Sequence, residues 1–297
     1  MKHATEITVA ATQMACTPDR AENLSRAEET VRRAAGQGAD IILLQELFES
    51  QYFCQVEDPR FFDLAREAEN HPAVARMSHL ARELGVVIPV SFFERRNQVF
   101  YNSVAVIDAD GRNLGLYRKI HIPDGPGYEE KFYFSPGDTG FRAWRTRHGV
   151  IGVGICWDQW FPETARAMAL MGAEILFFPT AIGSEPQDPE LDSSGHWRRC
   201  MQGHAAANMV PVVAANRVGT ETFDQSSITF YGSSFITENH GEVLVQAGRT
   251  DPEIVTARLD LAAMAEERRA WGLFRDRRPS SYGVLMTKDG HLGKEEN

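Results

Sequence analysis

Short, almost wholly apolar runs of strand length, DIILLQELF, VVIPVSFFE, EILFFPT and VPVVAAN, alternate in this chain with stretches of helical periodicity, and a β-hairpin interrupts the alternation. Runs of that kind suit strands buried on both faces. One helical stretch, 19–35, has Asp19 near its start and Gly36 and Gly38 after its end, and another, 72–84, is closed by Gly85. The hairpin pairs NSVAVID with NLGLYRK across the turn residues of DADG. A doubly wound parallel sheet with a helix after every strand does not fit that interruption. Two mixed sheets packed on each other with helices outside do fit, which makes the expected fold a four-layer α-β-β-α sandwich of the mixed α/β class.

The rest of the chain keeps to the theme. A strand at 6–14 opens it, and a strand at 149–155 leads to a helix at 162–171. An irregular segment at 181–194, a helix at 196–208 and strands in FYGSSFITE, EVLVQAG and EIVTARLDL follow, with a short charged helix near 260–269. With no low-complexity linker and no solenoid-period repeat, one domain over 1–287 is expected, and 288–297 reads as a charged tail of poor order.

A formal net charge of −10 argues against a nucleic-acid footprint or attraction to an anionic membrane, while a cationic small molecule would be drawn in modestly. The N-terminus lacks a long apolar signal region, no stretch has transmembrane length, and four scattered cysteines form no disulfide framework. A cytoplasmic, reducing location is expected.

The chemistry concentrates at Cys156, where the apolar run of GVGICWDQWFPE gives way to a Pro-started helix. Unpaired backbone N–H groups and a helix dipole at such a point favour the thiolate. Polar and aromatic residues crowd in directly after it, so the thiol is expected to face a cleft. Cys16, Cys54 and Cys200 have plain contexts and read as buried small hydrophobes. Two charged residues also stand out: Glu46, at the end of an apolar strand, and Lys119, before a long Gly- and Pro-rich connection at 120–139.

A carboxylate in LLQELF, a lysine in YRKIHIPDG and a thiol in GICWDQWFPE, in that order, resemble the nitrilase (carbon-nitrogen hydrolase) superfamily over about residues 7–283. The resemblance implies the α-β-β-α fold and a Glu-Lys-Cys triad. Glu46 is then the general base, Cys156 the nucleophile, and Lys119 with the backbone N–H of Trp157 the oxyanion donors. EKFYFSPG matches the motif of a second glutamate that positions the lysine and the base, which points to Glu130, with Glu129 solvated. The longer strings GPGYEEKFYFSPGDTGF, CWDQWFPE, PTAIGSEP and HWRRCMQGHAAAN are similar to the branch of that family acting on N-carbamoylputrescine. They imply cleavage to putrescine, carbon dioxide and ammonia through a Cys-linked intermediate, within putrescine formation from agmatine. The resemblance also implies a homo-oligomer built from dimers, with helix 196–208 and the C-terminal tail as contact surfaces.

Relatives that act on N-carbamoyl amino acids need arginines shortly after the nucleophile to hold a carboxylate. Here Trp157, Asp158, Gln159 and Trp160 stand there instead. Asp124 and Glu185 are candidates to pair with a distal ammonium, or are ordinary loop carboxylates. Tyr52 and Trp157 are candidate walls for a methylene chain. His121, His196 and His204 lack zinc-ligand spacing and read as packing residues, so neither a metal nor an organic cofactor is expected. The alternatives are an amidase of the same family acting on N-carbamoyl-β-alanine, N-carbamoyl-D-amino acids or ω-amides, and a non-catalytic binding or assembly module of the same fold. A redox thiol is disfavoured because no resolving cysteine neighbours Cys156.

Overall fold

The computed structural model describes residues 6–224 and 226–292, so the last five residues of the expected tail lie outside the described residues. Strands β1 (Glu6–Gln13), β2 (Ile41–Leu43) and β14 (Glu253–Asp260) form one sheet in the order β14-β1-β2. Strands β3 (Ile88–Arg96), β4 (Val99–Ile107) and β5 (Asn113–Arg118) form a meander. The Val87 N–H donates to the Asp40 carbonyl at 2.9 Å and the Ile42 N–H to the Val87 carbonyl at 3.0 Å, stitching the two groups into one layer.

The second layer is a six-stranded sheet in the order β13-β12-β9-β8-β7-β6. It comprises β6 (Ala143–Thr146), β7 (Gly149–Val153), β8 (Ile175–Pro179), β9 (Val212–Ala215), β12 (Phe235–Thr237) and β13 (Val243–Gln246). Strands β10 (Val218–Phe223) and β11 (Ser226–Tyr231) pair as a separate hairpin.

The period of two in a strand explains why the sheets are covered on both faces. Ile7, Val9, Ala11, Val104 and Val106 of the first layer meet Ile175, Phe177, Val213 and Ala215 of the second in one dry inter-sheet core. The alternate residues face the helices. Ala10, Ile42, Ala105 and Ile107 pack against α1 (Arg20–Gly36) and α2 (Pro72–Leu84), while Leu176, Phe178, Val212 and Ala214 pack against α4 (Pro162–Leu170) and α5 (Ser194–Asn208). These four layers are the expected α-β-β-α sandwich. Truncating a side chain such as Phe177 to alanine at its centre would cost about 3–5 kcal/mol.

The helices begin and end where local chemistry dictates. Asp19 caps α1 by accepting from the N–H groups of Ala21 and Glu22. Pro72 and Pro162 sit in the first turns of α2 and α4, and Gly85 ends α2 in the left-handed region at φ 71°. A four-residue helix α3 (Glu130–Tyr133) and a last helix α6 (Leu261–Trp271) complete the α-helices among the described residues.

Two local readings of the sequence are corrected, and one hairpin is added to the one it revealed. FYGSSFITE is not one strand, because Gly232 (φ 51°) and Ser233 (φ 58°) turn the chain between β11 and β12. The β3–β4 turn through Asn97 (φ 54°) precedes the hairpin that the sequence revealed. A turn of 3-10 helix over Cys156–Trp160 separates Cys156 from α4.

Candidate active site

Glu46 lies just beyond β2, in a turn whose next residue, Leu47, has φ 48°. Lys119 follows β5, Glu130 opens α3, and Cys156 follows β7 by way of Gly154 and Ile155. Strand ends from both sheets thus deliver these groups to one place. Glu46, Lys119 and Glu130 are fully buried.

The Lys119 Nζ lies 2.9 Å from Glu46 Oε1 and 2.6 Å from Glu130 Oε2. Burial alone pulls the ammonium down, but Glu130 and Glu46 outweigh it and hold it well above its usual range. Burial pushes the Glu130 carboxyl up to about 7, against the pull of Lys119. Without the ammonium between them, these two buried carboxylates would repel one another with nothing to offset the cost.

Cys156 adopts φ 42°, a left-handed conformation that a non-glycine residue holds only when its surroundings enforce it. Asp158 does much of the enforcing. Its fully buried carboxylate accepts from the Ile155 N–H at 2.9 Å, the Tyr117 hydroxyl at 2.8 Å and the His121 N–H at 3.0 Å. The thiol points toward the Ala181 carbonyl at 3.8 Å. Here the structure corrects the expectation of a favoured thiolate. Burial, then the nearby Glu46 carboxylate, push the Cys156 thiol well above its usual range, and Lys119 offsets this only in part. The resting sulfur is a thiol that needs a base.

A cavity of about 340 Å³ opens onto Cys156 and Glu130. Its rim comes from Pro123–Tyr128 on one side and from Ala181, Ile182, Glu185 and Gln187 on the other. Trp157, Trp160 and His196 form a third wall. Gly127 keeps the two loops together, since a Cβ there would sit 2.6 Å from the Pro186 ring. The Tyr128 hydroxyl bridges them, accepting from the Gly183 N–H and donating to the Ser184 carbonyl.

Asp124 and Glu185 both line this cavity. Asp124 pairs with Lys131 at 3.7 Å, whereas Glu185 is held by the neutral amide of Gln187 at 3.3 Å, and burial raises its carboxyl above the usual range. Trp157 is partly exposed on the wall, and its N–H lies in the first turn after Cys156, where helix starts leave donors unpaired. Tyr52 is absent from the lining. It is fully buried behind Glu130 and donates to its Oε1 at 2.7 Å. Glu129, expected in solvent, is half-buried with its N–H on the Cys54 carbonyl.

The histidines sit around the site. His121 stacks on Phe161 with centroids 3.6 Å apart, His204 bonds the Gln159 carbonyl at 2.6 Å, and His196 packs on Trp160. The sequence reading missed Asn102, whose side-chain amide donates to Glu46 Oε1 at 2.7 Å and whose backbone carbonyl accepts from the Lys119 backbone N–H. An asparagine opening the run NSVAVID, buried in mid-strand, was the available signal. Asp158 was seen only as a neighbour of the thiol.

The carbon-nitrogen hydrolase family model matches residues 8–269. The chain is 58% identical to N-carbamoylputrescine amidase of Arabidopsis thaliana, with 97% of each covered. It is 52% identical to the citrullinase of Francisella tularensis, over 95% of this chain and 99% of that protein. The crystal structure of a carbon-nitrogen hydrolase from Helicobacter pylori G27 superposes with a TM-score of 0.90 at 41% identity, covering 95% of this chain and 99% of that one. A family match across most of the sequence, joined to a sandwich whose strand ends gather thiol, carboxyl and ammonium, means that the chain belongs to the carbon-nitrogen hydrolase family.

Proposed function

We propose that this protein hydrolyses N-carbamoylputrescine to putrescine, carbon dioxide and ammonia. One observation carries the choice of substrate: among the described residues neither lysine nor arginine lines the cavity beside Cys156, while Asp124 and Glu185 do. A carboxylate tail would enter without a partner, and an ammonium would find one. The relatives of that activity, matched along nearly their whole length, support the reading.

In the proposed reaction Glu46 takes the Cys156 proton as the sulfur attacks the ureido carbon. The tetrahedral oxyanion is stabilised by the Lys119 ammonium and the Trp157 N–H. Collapse returns the proton to the departing nitrogen and leaves a carbonyl-bearing thioester on Cys156. Water deprotonated by Glu46 cleaves that bond and restores the thiol. The resulting carbamate loses carbon dioxide and frees its nitrogen, so the two steps together release putrescine, carbon dioxide and ammonia and consume one water per turnover. Glu130 positions Lys119, and Glu185 holds the distal ammonium. The reading also places the activity in putrescine formation from agmatine, in a cytoplasmic homo-oligomer built from dimers with one domain over 1–287.

Ammonia release from a panel of substrates tests the choice. N-Carbamoylputrescine is expected to exceed N-carbamoyl-β-alanine, N-carbamoyl-D-amino acids and ω-amides by at least about 100-fold in kcat/KM, the scale set by leaving a charged group unpaired. The citrullinase relative makes citrulline the stringent competitor. Faster turnover of citrulline, or of any anionic substrate, overturns the diamine reading. Glu185→Gln is expected to raise KM about tenfold with kcat little changed.

A further inference from the structure

Arg217 and Glu221 form an ion pair with no part in the chemistry above, yet both side chains are essentially sealed from solvent. The Arg217 Nη1 lies 2.7 Å from Glu221 Oε1. Such a pair is costly to bury, and replacing one by apolar groups is often neutral for stability, so its presence asks for a purpose beyond holding the fold.

The remaining contacts supply one. The Arg217 Nη2 donates to the backbone carbonyl of Glu46 at 2.7 Å and to that of Leu47 at 3.2 Å, and Nη1 reaches the Ser50 carbonyl at 3.3 Å. One planar fork therefore spans the turn that carries Glu46, including Leu47 in its left-handed conformation. The other oxygen of Glu221 accepts the Tyr52 N–H at 2.5 Å, and the Arg217 guanidinium lies 5.8 Å from the Tyr52 ring centroid. Tyr52 in turn donates its hydroxyl to Glu130, which grips Lys119. Both carboxylates around Lys119 are thus tied to the same pair, Glu46 through its own backbone and Glu130 through Tyr52.

We propose that Arg217 and Glu221 are positioning residues that hold the Glu46 turn and Tyr52 at a fixed separation, setting the geometry of proton transfer between Glu46 and Cys156. Lysine lacks the planar fork, so it can keep the charge without spanning three carbonyls. The proposal rests on Glu46 being the base for Cys156, and not on which carbamoyl compound is the substrate.

The test compares Arg217→Met, Arg217→Lys and Glu221→Gln with Glu46→Gln in the full chain. Thermal unfolding establishes which variants fold. Ammonia release then gives kcat and KM over a range of pH, and mass spectrometry follows alkylation of Cys156 by iodoacetamide. Arg217→Lys is expected to fold, to lose at least tenfold in kcat with KM within twofold, and to slow Cys156 alkylation at neutral pH. Arg217→Met is expected to show the same pattern more strongly, with the acid limb of kcat/KM displaced. If Arg217→Met does not fold, Arg217→Lys and Glu221→Gln decide. Folded variants with wild-type kcat, or with kcat and alkylation falling only in step with the folded fraction, overturn the positioning role. If Glu46→Gln itself leaves hydrolysis and alkylation unchanged, the underlying assignment of the base fails instead.

Discussion

The Asn102 side-chain amide donates to Oε1 of Glu46 at 2.7 Å, the same oxygen that receives Lys119, and Oε2 of Glu46 is buried without a hydrogen-bond partner among the described residues. The two carboxylate oxygens are therefore unequal. Oε1 is held by two donors, and in the proposed reaction Oε2 is the oxygen that takes the proton from sulfur or water. Asn102→Ala frees the carboxylate to rotate and removes the competition that singles out Oε2. It should lower kcat about 10- to 100-fold with KM within about twofold, since general-base catalysis contributes on that scale. Equal steady-state constants in wild type and variant would refute the assignment.

Because the thiol is pushed well above its usual range, free Cys156 should react slowly with a small alkylating agent near neutrality and faster as pH rises. Glu46→Gln removes both the proposed base and the negative charge beside the sulfur, so its thiolate is expected to form more readily at high pH while its turnover is lost. Crossed profiles of this sort, turnover down and high-pH alkylation up, are the expected result. Cys156→Ala should abolish both.

Gly137 marks a spot where backbone meets backbone. A Cβ there would fall 2.0 Å from the Arg118 carbonyl oxygen and 2.9 Å from that of Lys119, and the Gly137 N–H donates to the Lys119 carbonyl at 2.8 Å. Gly137→Ala should displace Lys119, lowering kcat at least about tenfold and stability by roughly 1–3 kcal/mol, the range for strain of this kind. Denaturant unfolding and steady-state kinetics on the same preparation check both.

His71 predicts a pH dependence of stability. Burial, aided by Arg20 and Arg66, lowers its imidazole from 6.5 to about 3, and among the described residues neither ring nitrogen finds a hydrogen-bond partner. The unfolded chain binds the proton more readily than the native one between those values. Stability should therefore rise with pH from about 3 to 6.5 and level off above, and it is lost as acid enters that window. His71→Phe should flatten this part of the profile, as read from the unfolding midpoint at pH 5 and pH 7.5. Glu49, 3.4 Å from Nε2, would blunt the effect where it is ionised, so Glu49→Gln should steepen it.

Much of this architecture was legible from periodicity, because strands sealed on both faces write nearly unbroken apolar runs and the helices carry their own stop signals. Glu46, Lys119 and Cys156 stood out because charge or thiol follows an apolar strand, and the order of their motifs supplied the family. The β10–β11 hairpin escaped notice because VGTETF alternates small and polar residues and its partner merges with the next strand across Gly232. Asn102, Arg217 and Glu221 escaped for a different reason. Their importance lies in contacts such as Arg217 with Glu46, 171 positions apart in sequence, which no local pattern encodes. The state of the thiol was misread because burial is a property of the whole fold and here outweighs the donors of the adjacent turn.

The separation between where the reacting groups hang and where the cavity gets its rim has an evolutionary consequence. Strand termini locked into two sheets cannot drift without unfolding the molecule, whereas rim positions such as Asp124, Glu185 and Gln187 carry no strand and leave room for exchange above them. Descendants of such an ancestor can diverge in diet while inheriting the same bond-breaking apparatus intact, and laboratory selection for new amides should succeed at the rim long before it succeeds at the floor.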